Sequence, residues 1–297
     1  MSINFSVEVM PQVVGNTKSG KALDEYAGER SNIKVFVPFI PDRKTGQVDT
    51  DTFVGACEKI AELGYVPVPH FAPRHIKDEQ EARQILEKLA NIPAMQQILL
   101  IAGDPKFSAV GEWQDTIEFL HDGLLNEFTS SVLIAGHPEG HFLEGGNVIP
   151  VNESIGFIRQ KIEAARVDNL EVGLATQFAM SMGNTSKWLS ALQNNGADVP
   201  VNVGVMGPAT LKQQLKFAQI CGLGSTKDLL LRQPTLIPHL LMRYLSPQDP
   251  IERVHKEVDT LAELKERGRN IVGVHFYPFA NLGGTMKQIA LLQNRHS

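Results

Sequence analysis

The stretch IAGHPEGHF at residues 134–142 ends an apolar, β-branched run in two histidines and a glutamate set around a proline and a glycine. His137, Glu139 and His141 are residue types that bind metals, hold cofactors or move protons. Proline at 138 and glycine at 140 keep the histidines off a common helical face, so HPEGH is not the HExxH pattern of zinc hydrolases. Other polar groups stand at the ends of similar apolar runs: Glu8 in SVEVMP, His70 in PVPHFAPRH, Asp104 in IAGDP, Gln177 in LATQF, and His275 with Tyr277 in VGVHFYP. A carboxylate inside an apolar strand is costly to ionise, and its pKa rises. Glu8 is therefore a candidate general acid. Its alternation with Val7 and Val9 puts it on the face shared by Ser6 and Met10. A zinc or iron hydrolase drawing on His70, His75, His137, Glu139 and His141 is the competing chemistry.

Such groups must be brought together by something, and the spacing of the apolar runs indicates what. Eight β-type runs recur along the chain: NFSVEVMP, NIKVFVPFIP, YVPVPHF, QQILLIAGD, SSVLIAGHPE, LEVGLATQF, VPVNVGVMG and NIVGVHFYP. Between them lie amphipathic segments such as DTFVGACEKIAELG and DEQEARQILEKLANI, whose apolar residues recur at helical spacing. Strands that are apolar throughout fit a parallel sheet covered on both faces. Eightfold β/α alternation over 297 residues fits one (β/α)8 TIM-type barrel, which needs about 250 residues. No GxGxxG follows the first strand, which disfavours a doubly wound open sheet. Residues 222–268 are too long for one connection and read as two or three extra helices inserted before the last strand. No linker or repeat divides residues 1–297, so one catalytic domain is expected.

In a barrel of this kind the polar residues at the C-terminal strand ends converge on one mouth. Composition narrows what that mouth accepts. The net charge of −5 supplies no basic field for nucleic acid or an anionic membrane. No apolar run approaches a membrane span, and no charged segment followed by an apolar stretch opens the chain. The expectation is a cytoplasmic protein that acts on small molecules. Cys57 and Cys221 lie far apart, in apolar helical patterns, and read as buried thiols.

The runs, taken in order, resemble the methylenetetrahydrofolate reductases, flavin-dependent barrel enzymes of one-carbon metabolism. SVEVMP is similar to that family's FEFFPP strand, VPHF to PHLT, IAGDP to LRGDxP, and IAGHPEGH to AAYPExHPE. Further along, ATQF is similar to ITQFFFD, VGVMGPATLKQQLKF to PGILPVSNFKQAKKF, and VHFYPFAN to FHFYTLNR. The resemblance implies hydride transfer from NADH or NADPH through FAD to 5,10-methylenetetrahydrofolate, giving 5-methyltetrahydrofolate. It puts the general acid on Glu8 and an electrostatic and pterin-binding carboxylate on Asp104. Gln177, Gln213, Phe217 and Asn281 fall on substrate-binding positions, and His70, Ala102, Gly103, His137, His141 and Lys161 on flavin positions. Departures cluster around the cofactor: the arginine before Gly-Asp is Ala102, the tyrosine is His137, and polar contacts before the lysine are Ser154, Phe157 and Gln160. Asn281 replaces the arginine that closes HFYTLNR. The resemblance admits a flavin-independent variant of the same reaction.

Overall fold

The computed structural model describes residues 3–14, 20–42, 45–103, 108–142, 148–179, 181–210, 213 and 249–296. Ten strands occur among them: β1 (Asn4–Glu8), β2 (Ile33–Val37), β3 (Val66–Phe71), β4 (Ile98–Leu100), β5 (Ser131–Gly136), β6 (His141–Phe142), β7 (Val148–Ile149), β8 (Glu171–Phe178), β9 (Val201–Met206) and β10 (Ile271–Tyr277). Eight of them close a barrel in the order β1-β10-β9-β8-β5-β4-β3-β2. Every barrel pairing is parallel, including the closing pair of first and last strands, where Ser6 lies opposite His275. The chain is a (β/α)8 barrel. The short antiparallel hairpin of β6 and β7 is extra to it and hangs from the loop after β5.

Apolar strands are explained by what covers them. Outward residues such as Phe5, Val7, Val35 and Val37 pack with helix residues such as Phe53, Cys57, Ile60 and Leu86 into one continuous shell. Inside the barrel a separate cluster of Phe36, Val68, Leu99, Leu133 and Ala175 fills the axis. At the N-terminal end the fill is polar: the Lys34 ammonium donates to Gln97 Oε1, and Gln97 Nε2 donates to Ser131 Oγ at 3.3 Å. The barrel is therefore plugged below and can be entered only from the C-terminal strand ends.

Side-chain caps fix where helices start. Asp49 accepts from Thr52 N, Asp78 from Glu81 N, and Asp115 from Ile117 N and Glu118 N, satisfying donors that the first turn leaves unpaired. The last helix expected within 222–268 begins as the sequence SPQDP suggests, with Asp249 as cap and Pro250 in the first turn; it spans Pro250–Glu266. Residues 222–248 of that insertion, and Cys221, lie outside the described residues. Cys57 is buried. Among the described residues no helix is long and apolar enough to cross a membrane.

Candidate functional site

Alternation along β1 turns Ser6 and Glu8 into the barrel, and the pairing of β1 with β10 sets His275 beside Ser6. The Ser6 hydroxyl lies 3.0 Å from His275 Nδ1 and 3.4 Å from the Val274 carbonyl. Both contacts are hydrogen bonds at once only when the imidazole carries its proton on Nδ1, which leaves Nε2 as an acceptor. The Phe36 ring, opposite Glu8 on β2, stands 4.2 Å from the His275 ring and meets the edge of His70 at 6.1 Å. His70, at the end of β3, brings Nε2 to 3.8 Å from Glu8 Oε2. The Nε2 atoms of His70 and His275 are both buried without a hydrogen-bond partner.

Burial decides the protonation of this group. It pushes the Glu8 carboxyl up to about 8 and the His70 imidazole down to about 3. His275 is also pushed down to about 3, mainly by burial and secondarily by His70. At neutral pH the cluster holds a protonated carboxylic acid and two neutral imidazoles. An ion pair at 3.8 Å would have to remove two charges from water without the hydrogen bonds that offset the cost.

A stability prediction follows from the two depressed histidines. An unfolded imidazole takes up a proton near pH 6.5, whereas these two do not until pH nears 3, so the contribution of their neutral burial is present above 6.5 and is lost as pH falls through that window. Two sites give a slope of up to about 3 kcal/mol per pH unit. Glu8 titrates in the opposite sense between 4.5 and about 8, so the measurement is made on Glu8→Gln: its urea midpoints at pH 7, 6, 5 and 4 should drop throughout. A flat profile would mean that the imidazoles charge in place.

The other strand ends contribute by backbone as much as by side chain. Between β8 and β9 the register shifts, with Ala175 opposite Asn202 but Phe178 opposite Gly204. The intervening Thr176 stitches this bulge: its Oγ1 accepts from Gly204 N at 2.8 Å and donates to the Gln177 carbonyl at 2.8 Å. Tyr277 donates its hydroxyl to the Thr176 carbonyl at 3.0 Å. The bulge leaves Gln177 exposed at the mouth.

The HPEGH loop is a turn closed by Gly140 N donating to the His137 carbonyl at 3.0 Å, with Gly140 at φ 92°. Glu139 is occupied structurally: one oxygen accepts from Ser181 N at 2.9 Å and the other from Asn184 Nδ2 at 2.7 Å, at the start of the helix Met182–Asn194. Among the described residues no three or more of the His, Cys, Asp and Glu side chains are grouped to hold a metal. Glu139→Ala should cost about 1–3 kcal/mol through two lost hydrogen bonds and leave metal content unchanged, which thermal unfolding and elemental analysis would check together.

The remaining expected residues lie on several elements. Ala102 and Gly103 follow β4; Gly103 sits at φ 104°, and a methyl group there would stand 2.8 Å from His75 Nε2. Lys161 lies on the outer helix Val151–Val167, where burial lowers its pKa and Asp115 partly offsets that. Gln213 accepts from Thr210 N and from Thr210 Oγ1, while Thr210 Oγ1 accepts from Gln213 N, a capping box. Asn281 donates to the Pro208 carbonyl at 2.7 Å and accepts from Gly284 N. Asp104, Phe217 and the side chain of His141 lie outside the described residues. Glu8 and His70 are thus brought together inside the barrel, while Gln177, Gln213 and Asn281 ring its mouth. His275 was among the expected strand-end residues; its contact with Ser6 and the Thr176 bulge are additions, and the signal for the contact is the period-two alternation of SVEVMP and VGVHFYP, which needs the pairing of first and last strands to become one.

A cavity of about 1020 Å³ opens at this mouth between the end of β1, the turn after β10 and the last helix, Leu282–His296. Glu8 and Asn281 line it; His70 and His275 lie deeper, outside its lining.

No family model matches the sequence. Among solved structures the chain is similar to the 7,8-dihydropteroate synthase of Vibrio fischeri, at 9% identity over 99% of this chain and 93% of that one, with a TM-score of 0.50. It is also similar to the Thermus thermophilus dihydropteroate synthase in complex with 4-aminobenzoate, at 10% identity over 99% and 94% of the chains, with a TM-score of 0.48. A GH10 endoxylanase from a sugarcane soil metagenome is 13% identical over 93% and 86%, with a TM-score of 0.47. The likeness to the Vibrio fischeri structure is one of fold, and the fold is the (β/α)8 barrel with its site at the C-terminal strand ends.

Proposed function

We propose that this barrel interconverts 5,10-methylenetetrahydrofolate and 5-methyltetrahydrofolate, with Glu8 as the acid. The observation that carries the reading is Glu8 itself: a carboxyl held protonated at neutral pH, at a strand end, on the floor of a cavity large enough for a small-molecule substrate. Its proton would go to the ring nitrogen that leaves the methylene carbon, turning the substrate into the 5-iminium cation that accepts hydride. His70, neutral and 3.8 Å away, would hold the acid in place without taking its proton. Gln177 and Asn281 at the mouth, with Gln213, Phe217 and Asp104, are the proposed folate contacts.

FAD, when bound, would carry a hydride from NADH or NADPH to the substrate carbon. Lys161, His70, Gly103, His137 and His141 are the residues that would hold it. Lys161 fits that group: a half-buried ammonium whose lowered pKa is partly offset by Asp115 would gain from a diphosphate neighbour. Ala102 supplies no cation at the other expected phosphate contact, and this observation favours, as a second reading, a member that binds flavin weakly and reduces folate by another electron route. The test is product formation from 5,10-methylenetetrahydrofolate with NADH or NADPH, with and without added FAD. Turnover that needs FAD is expected, and turnover without it moves the reading to the flavin-independent form. No 5-methyltetrahydrofolate under either condition ends both.

A further inference from the structure

The end of the barrel away from Glu8 carries a group that the proposed reaction does not use. Lys34 is the second residue of β2 and alternates with Phe36, a member of the cluster on the barrel axis, so its side chain also turns into the barrel. Neutral polar groups meet it there. Lys34 donates to Gln97 Oε1, and Gln97 Nε2 donates to Ser131 Oγ. Asn202 fills the space beside Gly273, where a Cβ would stand 2.5 Å from Asn202 Oδ1. Gln97 is buried and Lys34 half-buried. The plug at this end therefore holds an ammonium among amides and a hydroxyl.

No opposite charge is set against it. Among the described residues the polar partner of Lys34 is the neutral Gln97, and Glu171, which opens β8 beside Ser131, is exposed. A cation drawn out of water without an anion gives up its proton more readily, and burial lowers the pKa of the Lys34 amine with no charge opposing the fall. Lys161 is also half-buried, but Asp115 opposes the fall there. Lys59 and Lys88 are the reverse case, exposed and held by Glu62 and Asp51. The bond to Glu62 raises the Lys59 amine.

We infer that Lys34 is a site of covalent acylation, its amine attacking a small activated acyl donor of the acyl phosphate class that meets the plug from outside the barrel. The amine nitrogen bonds to the acyl carbon, and the bond from that carbon to the phosphate oxygen breaks. Inorganic phosphate leaves with the electron pair, and the proton of the attacking nitrogen passes to water. The product suits the plug better than the reactant does. An amide is neutral, so the cost of an unpaired, half-buried cation disappears, and its N–H still has Gln97 Oε1 to donate to. Because Glu8 and the cavity lie toward the other end, the inference is independent of the folate reading.

The test compares lysines within one protein. The folded chain is incubated with acetyl phosphate at neutral pH, the unreacted lysines are capped with deuterated acetic anhydride in urea, and peptide mass spectrometry reads the fraction acetylated at each position. Lys34 is expected to react about fivefold or more faster than Lys59 and Lys88. That lead should vanish when the chain is unfolded in urea before the acetyl phosphate is added, since it comes from the plug and not from neighbours in sequence. Gln97→Glu puts a carboxylate where the amide stands and holds the ammonium charged, so Lys34 in that variant should fall to the rate of Lys59. Lys34 reacting no faster than Lys59 and Lys88 in the folded wild type, or keeping its lead in the unfolded chain, overturns the inference. So does a folded Gln97→Glu variant in which Lys34 keeps its wild-type rate. Where circular dichroism shows that variant unfolded, the pH dependence in wild type decides: the rate at Lys34 should level off at a lower pH than the rate at Lys59, and levelling together overturns the inference.

Discussion

Glu8→Gln is expected to lower the proposed folate reduction on the order of 100-fold or more, the scale of a lost general acid, while leaving the barrel folded. Glutamine keeps the size and planarity of the carboxylic acid and cannot donate an acidic proton, so the substitution isolates the proton from the shape. The wild-type rate should fall as pH climbs through about 8, where burial sets the carboxyl; the residual rate of the variant should not. Stability moves the other way. The folded carboxyl ionises later than its ordinary value of 4.5, so its contribution is full below that pH and is lost as pH rises, until the folded group ionises too near 8. The loss amounts to a few kcal/mol on the scale of about 1.4 per unit. Glu8→Gln removes that loss, and urea midpoints at pH 6 and pH 9 should show the variant gaining on the wild type at the higher pH. Single-turnover rates close to wild type would end the acid assignment.

Gly204→Ala should be the most damaging small change in the barrel wall. A Cβ at 204 would stand 2.5 Å from the Thr176 carbonyl oxygen and 2.6 Å from that of Gln177, both backbone atoms that no rotamer can move aside. The bulge would have to open, giving up the bond from Gly204 N to Thr176 Oγ1 and loosening the one from Ala179 N to the Gly204 carbonyl. Overpacking and one lost buried hydrogen bond together cost about 3 kcal/mol. Because Tyr277 hangs from the Thr176 carbonyl and Gln177 leaves the wall at the bulge, affinity for the proposed folate substrate should fall with stability. A denaturation midpoint equal to wild type would show that the bulge can slide without cost.

The barrel was legible because parallel strands buried on both faces write themselves as continuous apolar runs, and eight such runs alternated with helical spacing. Strand-end residues were legible for the same reason: Glu8 and His70 stand where an apolar run stops, and they meet inside the barrel. Inward orientation of Glu8 could be read from its alternation with Val7 and Val9. The Ser6–His275 contact could not, since it depends on the register between strands whose touching residues are 269 positions apart in sequence. The role of Glu139 was hidden as well. A glutamate between two histidines reads as a ligand, but its partners are a backbone amide and an asparagine 42 and 45 positions on. The β6–β7 hairpin is not legible in the sequence because two-residue strands are too short to show alternation. Gln213 illustrates a related limit: its spacing from Thr210 is that of a capping box, and a resemblance that makes it a substrate contact does not see the cap.

The turn after β10 holds Phe279 at φ 48° and Ala280 at φ 65°, two consecutive residues with side chains in the left-handed region, where each costs roughly 1–2 kcal/mol. They stay there because Asn281 ties the turn to Pro208 on one side and Gly284 on the other, and because Gly207 N donates to the Tyr277 carbonyl at 2.8 Å. One wall of the cavity is thereby set before anything enters it. A ligand arriving along that wall meets a surface that does not have to be ordered first, so the loop-freezing entropy that slows and weakens association elsewhere is already spent in folding. Capture on this side of the mouth would then proceed at the frequency of productive collisions rather than at the pace of a closing loop.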